Sequence, residues 1–225
     1  MIPFLRWIVT RRFRHALIAE ASNANWDRID IVAHSFGTHL VAWAIHEMNV
    51  DTRPRIHTVI LAGSVLKPWF PWSDLIGKGV YRLVNDCGTK DGILILNQLF
   101  VLFSGMAGRI GFNGMTNEQF RNRFFAFGHS GYFVKKSTLD DSFMKESWIP
   151  LLCGTASPEE YDERGTPSAL QGLVVWALNN AEPIKVTSYS IILAIPAIVF
   201  LLLFLRADEQ RIVARSNQLA AQAEH

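Results

Sequence analysis

The sequence predicts an α/β fold, a mainly parallel sheet flanked by helices, followed by a C-terminal transmembrane helix. Three observations carry this expectation. Short β-branched runs alternate with stretches of helical periodicity between residues 28 and 127. One junction, Ala33-His34-Ser35-Phe36-Gly37, passes from strand to helix without a linker. Finally, Val186 to Leu205 runs for twenty residues without a charge, between Lys185 and Arg206.

Size and composition agree with that class. The 225 residues suffice for one domain and a small appendage. A hydrophobic share of 49% supplies a core, and 19% charged residues is too few for a disordered chain. Lys+Arg 22 against Asp+Glu 20 gives a net charge of +2, without the basic excess of a nucleic-acid binder. Two cysteines, Cys87 and Cys153, make at most one bridge, and no His/Cys cluster has zinc spacing. Neither a metal nor a cofactor is expected.

Taken in order, residues 2 to 19 place Leu5, Ile8, Val9, Phe13, Leu17 and Ile18 on one helical face. Such a helix covers a core or lies on a membrane surface. After the polar turn Ser22 to Asn25, Arg28 to Ala33 reads as a strand, and His39 to Asn49 as a helix. Ile56 to Ala62 is a second strand. Val80 to Val84 is a weaker third, leading into Asn85-Asp86-Cys87-Gly88. Helical spacing returns with Ile93, Leu94, Leu96, Leu99 and Phe100, and Phe120 to Phe127 is the fourth strand. Gly154 to Thr166 turns polar and acidic, as a surface linker does, and Leu170 to Ala177 is a short helix. The uncharged run from Val186 matches the ~30 Å hydrocarbon core of a bilayer; a buried core helix is the alternative.

The Ala33-to-Gly37 junction is where chemistry is expected. In the G-x-S-x-G elbow a serine occupies a strained turn between strand and helix, with small residues on either side. Here Ala33 stands at the first glycine position and Gly37 at the second. The turn lifts the Ser35 hydroxyl above the sheet and aims the Phe36 backbone N–H at a developing oxyanion. The nucleophile then needs an acid and a base, in that chain order, on loops after later strands. Gly88-Thr89-Lys90-Asp91 follows the third strand and Phe127-Gly128-His129-Ser130-Gly131 the fourth. His129 is the base. Asp91, just before an apolar helix, is the expected acid, with Asp86 as the alternative. His34 and His39 are placed less well for the role, and Ser130 is followed by bulky Tyr132 and Phe133 where a small residue is required.

These residues together resemble the α/β-hydrolase superfamily, over about Met1 to Leu152. The resemblance implies a serine hydrolase acting on esters, thioesters or amides through an acyl-enzyme, with catalytic Ser35, Asp91 and His129 and Phe36 at the oxyanion. The phrases Val84 to Asp91 and Phe127 to Ser130 are also similar to a little-characterised hydrolase group. Members of the superfamily carry several strands and an oxyanion loop, often His-Gly, before the elbow. Only 34 residues precede Ser35, and no His-Gly occurs among them. The expected N-terminally incomplete sheet calls for an upstream segment or a partner to complete it, or else marks a catalytically inactive, membrane-tethered interaction protein. An acyltransferase using the same nucleophile is a third reading.

The organisation expected is therefore a hydrolase-like domain at 1–152, a linker with a short helix at 153–185, a transmembrane helix at 186–205 and a polar tail at 206–225. Trp69, Phe70 and Trp72 form an aromatic loop suited to an acyl pocket or a membrane interface, with ordinary packing as the alternative. Arg206, Arg211 and Arg215 after the span favour a cytoplasmic tail and an exported domain, but the lack of an N-terminal signal weighs more heavily for the opposite orientation. Arg6 interrupts the first apolar run and Arg11, Arg12 and Arg14 follow it, so no signal peptide is read, and the hydrolase domain is expected in the cytosol. The expected substrate is a small-molecule or lipid-like ester near the bilayer.

Overall fold

The computed structural model describes residues 3–223 apart from 24–25, 115–116, 134–141 and 167–168. Packing divides the chain into two compact units, Met1–Ala181 and Glu182–His225.

The first unit opens with helix α1 (Pro3–Asn23), then strand β1 (Ile29–His34), helix α2 (Phe36–His46), β2 (Ile56–Ala62) and β3 (Val80–Gly88). Helices α3 (Gly92–Phe100) and α4 (Ala107–Ile110) precede β4 (Phe120–Phe125), and α5 (Ile149–Leu152) and α6 (Ala169–Asn179) complete the unit. The four strands form one wholly parallel sheet in the order β1-β2-β3-β4. β2 lies second in that order and is buried at every position except His57, as expected of a parallel strand covered on both faces. Its side chains alternate between two cores. Val59 and Leu61, with Leu83 of β3, join Val41 and Ile45 of α2; Ile60 and Ala62, with Val84, join Phe125, Tyr132 and Trp148.

Several local expectations are corrected. Helix α1 packs on α2, but through Phe13 and Leu17 and with Arg6 and Thr10 buried, while Leu5 and Val9 stay exposed. The Arg6 guanidinium donates to the carbonyl of Leu102, which lets a charged residue take an inward position. β3 runs four residues past Val84, because Asn85 and Asp86 find polar partners inside the fold. β4 stops at Phe125. The acidic segment after Gly154 is more than a linker: Asp162 bridges to Phe124, with Phe124 N–H donating to Tyr161 O at 2.7 Å and Glu163 N–H to Phe124 O at 2.9 Å. Arg164 lies over the Phe124 ring. That contact covers the outer edge of β4. In the aromatic loop, Phe70 and Trp72 are buried core and only Trp69 is exposed, with Lys67 over its ring.

The second unit is one helix, α7 (Glu182–Ala223), with Pro196 inside it. Its stretch Glu182–Asp208 contains an 18-residue window with a mean hydropathy of 2.5 and is long and apolar enough to cross a membrane.

Candidate active site

At the C-terminal end of β1 the chain must turn sharply into α2, and Ser35 takes the whole change. Its backbone sits at φ 54° and ψ −125°, a region that side chains rarely adopt. Three hydrogen bonds hold it there. Ser35 N–H donates to Ala62 O at 2.9 Å, and Ser35 O accepts from Thr38 N–H at 3.0 Å and from Thr38 Oγ1 at 2.6 Å. Thr38 Oγ1 in turn accepts from Val65 N–H at 3.2 Å, so the turn is tied to the end of β2. The small residues either side stand close: a Cβ on Gly37 would lie 3.9 Å from the Ala33 Cβ, an ordinary van der Waals contact. Phe36 is the first residue of α2, and its N–H is among those that a helix leaves without an intrahelical acceptor.

The loop after β3 supplies Asp91, which is fully buried at the start of α3. Its two carboxylate oxygens have separate tasks. Oδ1 accepts from Leu94 N–H at 3.1 Å and caps the helix; Oδ2 accepts from His129 Nδ1 at 2.7 Å. Arg109 Nη1 donates to the Asp91 carbonyl at 2.8 Å and steadies the same turn. With Nδ1 committed to the carboxylate, His129 Nε2 faces Ser35 Oγ at 3.0 Å. The three residues singled out from chain order are thus joined by two hydrogen bonds, each residue standing after the end of a different parallel strand. Gly63 makes room for them. Its φ of +56° suits glycine, and a Cβ there would lie 3.3 Å from His129 Nδ1 and 3.5 Å from Asp91 Oδ2.

Asp86, the alternative acid, is elsewhere. It is buried inside β3, where its oxygens accept from Arg123 Nε and Nη2 at 2.7 and 2.8 Å and from Trp148 Nε1 at 2.7 Å. Burial, aided by the Asp86 charge, pushes the Cys87 thiol well above its ordinary pKa, so it offers no thiolate.

Two supporting residues escaped the sequence reading. His34 Nε2 donates to the His129 carbonyl at 2.9 Å, and the two rings lie 4.7 Å apart. Burial holds the His34 imidazole below its ordinary pKa, with the bond to the carbonyl acting in the opposite sense, which keeps it a neutral donor. Tyr132 Oη donates to Asp86 O at 2.9 Å and accepts from Gly63 N–H at 3.1 Å, pinning the His129 loop to β2 and β3. Burial raises its phenol pKa, so the proton stays. The signal for Tyr132 was its place three residues after His129; for His34 it was adjacency to the serine.

Phe36 packs on the buried cluster of Val65, Leu94 and Met106, against which Val175 and Leu178 of α6 also pack. Among the described residues no cluster of three or more His, Cys, Asp or Glu side chains is placed to hold a metal ion. Comparison with family models, curated proteins and solved structures returns no match.

Proposed function

We propose that the chain is a serine hydrolase of the α/β-hydrolase type that cleaves an ester, thioester or amide through an acyl-enzyme. The observation that carries this reading is the relay from Ser35 Oγ through His129 to Asp91, at 3.0 and 2.7 Å. Ser35 Oγ attacks the substrate carbonyl carbon while His129 Nε2 accepts its proton. Asp91 Oδ2 holds the Nδ1 proton and stabilises the imidazolium. The carbonyl oxygen, now negative, accepts from Phe36 N–H at the start of α2, where the helix dipole also favours it. Collapse expels the leaving group with the proton from Nε2. Water, activated by the same nitrogen, then releases the acid and restores Ser35. No metal or cofactor enters this sequence.

In this reading α7 anchors the protein in a bilayer and the Met1–Ala181 unit faces the cytosol, where it acts on lipid-like esters. One experiment tests both parts. A fluorophosphonate labels the wild-type chain, and Ser35→Ala abolishes labelling while the circular-dichroism spectrum stays that of the wild type. A membrane-impermeant form of the probe reacts only after cells are opened. Absence of wild-type labelling would replace the hydrolase by a non-catalytic tethered module, and labelling that survives Ser35→Ala would overturn Ser35 as the nucleophile. Labelling of unopened cells would put the unit outside.

A further inference from the structure

Helices α3 and α6 are neighbours on the first unit, and neither contains a charged residue. Gln98 Nε2 of α3 donates to Leu178 O of α6 at 2.8 Å, and Val175 and Leu178 pack on the cluster that includes Leu94. Their other sides carry large apolar residues to the surface. On α3 these are Ile93, Leu96 and Leu99, with Leu96 52% exposed; on α6 they are Leu170, Leu173 and Trp176, with Leu173 60% and Trp176 64% exposed. A surface helix on a water-facing domain ordinarily carries charged residues on that side. Two adjacent helices without them form an apolar patch, which marks an interaction site.

Chain connectivity identifies the occupant. α6 ends at Asn179 and α7 begins at Glu182, four residues before the uncharged run that starts at Val186. Three Cα steps cover at most about 11 Å, so if α7 crosses a bilayer the end of α6 lies at its surface. Trp176 stands one turn before that end, and Trp is the residue enriched at the membrane–water boundary. We propose that the outer face of α3 and α6 is a second membrane contact, lying in the headgroup and upper acyl region of the bilayer that α7 enters. This rests on reading α7 as a membrane helix. It also narrows the substrate. Phe36, beside the nucleophile, packs on the same buried cluster, with Leu94 of α3 in it, that Val175 and Leu178 of α6 pack against. Docking this face brings the serine turn to the bilayer surface, where the accessible acyl ester is one held in the membrane.

The test uses the full chain in vesicles of phosphatidylcholine with one-fifth phosphatidylglycerol. Cys87 is buried, so Cys153→Ser leaves a background for single labels. An environment-sensitive fluorophore is placed at Leu96→Cys, at Leu173→Cys and, as a reference within α7, at Ile195→Cys. Lipids spin-labelled near the headgroup should quench positions 96 and 173 by at least half, and lipids labelled deep in the acyl chain should quench position 195. Positions 96 and 173 quenched by aqueous iodide instead, with 195 still quenched by lipid, would overturn the docking face and leave the membrane helix standing. Shielding from both quenchers would assign the face to a protein partner and overturn the proposal. Absence of lipid quenching at 195 would remove the membrane reading itself. In the unlabelled chain, Leu96→Glu with Leu173→Glu should lower turnover of a long-chain ester carried in vesicles at least tenfold. Turnover of a short water-soluble ester should stay within twofold of wild type. Equal losses on the two substrates would contradict the proposal.

Discussion

Asp86 and Asp91 stand five residues apart on one stretch of chain, and both are fully buried. Their surroundings differ in the one respect that matters for chemistry. Asp86 lies within β3, in register with Ala62 on one side and Arg123 on the other, and both its oxygens accept, one from Arg123 and the other from Arg123 and the Trp148 indole. Asp91 lies beyond the strand, shares one oxygen with a helix start and gives the other to an imidazole that is itself bonded to a serine. A permanent cation makes the first carboxylate a structural fixture. In the mechanism proposed above, the second carboxylate instead stabilises the imidazolium that forms as the serine attacks. Inside a parallel strand a partner is dictated by register; at the strand's end it is chosen by loops.

The contrast predicts opposite phenotypes. Asp91→Asn should lower kcat/KM for an ester substrate by about 10⁴-fold, because the amide no longer fixes the imidazole tautomer. Its unfolding free energy should move by no more than about 1 kcal/mol, since Asn also caps a helix. A loss under tenfold would make the two carboxylates equivalent and break the comparison. Asp86→Ala should do the reverse. Leaving Arg123 buried without its partner should cost about 3–5 kcal/mol in a denaturant titration, while the molecules still folded keep a near-wild-type kcat. A stable Asp86→Ala protein with a lost kcat would instead place Asp86 in the machinery.

Acid sharpens the comparison through a third buried group, one whose charged neighbour is a cation. His39 packs against the Phe36 ring at 5.6 Å, and burial together with Arg6 holds its imidazole down to about 3. Unfolded, the same imidazole takes up a proton near pH 6.5. Between those values the unfolded chain binds more protons, so the contribution is complete above about pH 6.5 and declines as pH falls. At roughly 1.4 kcal/mol per unit, about 2 kcal/mol is gone by pH 5. Unfolding measured at pH 7.5 and 5 should show that loss in the wild type and a smaller one in His39→Gln. Equal losses in the two proteins would mean that acid acts elsewhere.

How much of this was legible in the sequence follows the same division. The run Val59 to Ala62 of β2 and the strand-to-helix junction at Ser35 were readable because each is a local pattern with one structural solution. Chain order and loop position also singled out the three residues that the fold brings within hydrogen-bonding distance. What the sequence concealed are polar residues whose partners are remote. Asn85 and Asp86 read as a turn and are strand, since Asn85 Nδ2 donates to Ala107 O and to Asn122 Oδ1, and Asp86 meets Arg123. Arg6 reads as the wet side of α1 and is buried, because a carbonyl 96 residues away receives it. His34 and Tyr132 belong with these: each acts through a bond to a backbone group far along the chain, for which no spacing rule exists.

The parallel register has a consequence in time as well as in space. The Ser35–His129 bond joins residues 94 apart in sequence, and the His129–Asp91 bond residues 38 apart. Every strand pairing between them needs a crossover before it can close, and contacts of that kind are among the slower ones to form. None of the helices or turns that hold these side chains can assemble the relay alone. If the proposed hydrolase reading holds, recovery of serine reactivity during refolding should therefore follow rather than accompany the return of helical signal, and reactivity becomes the clock that marks when the last strand has registered.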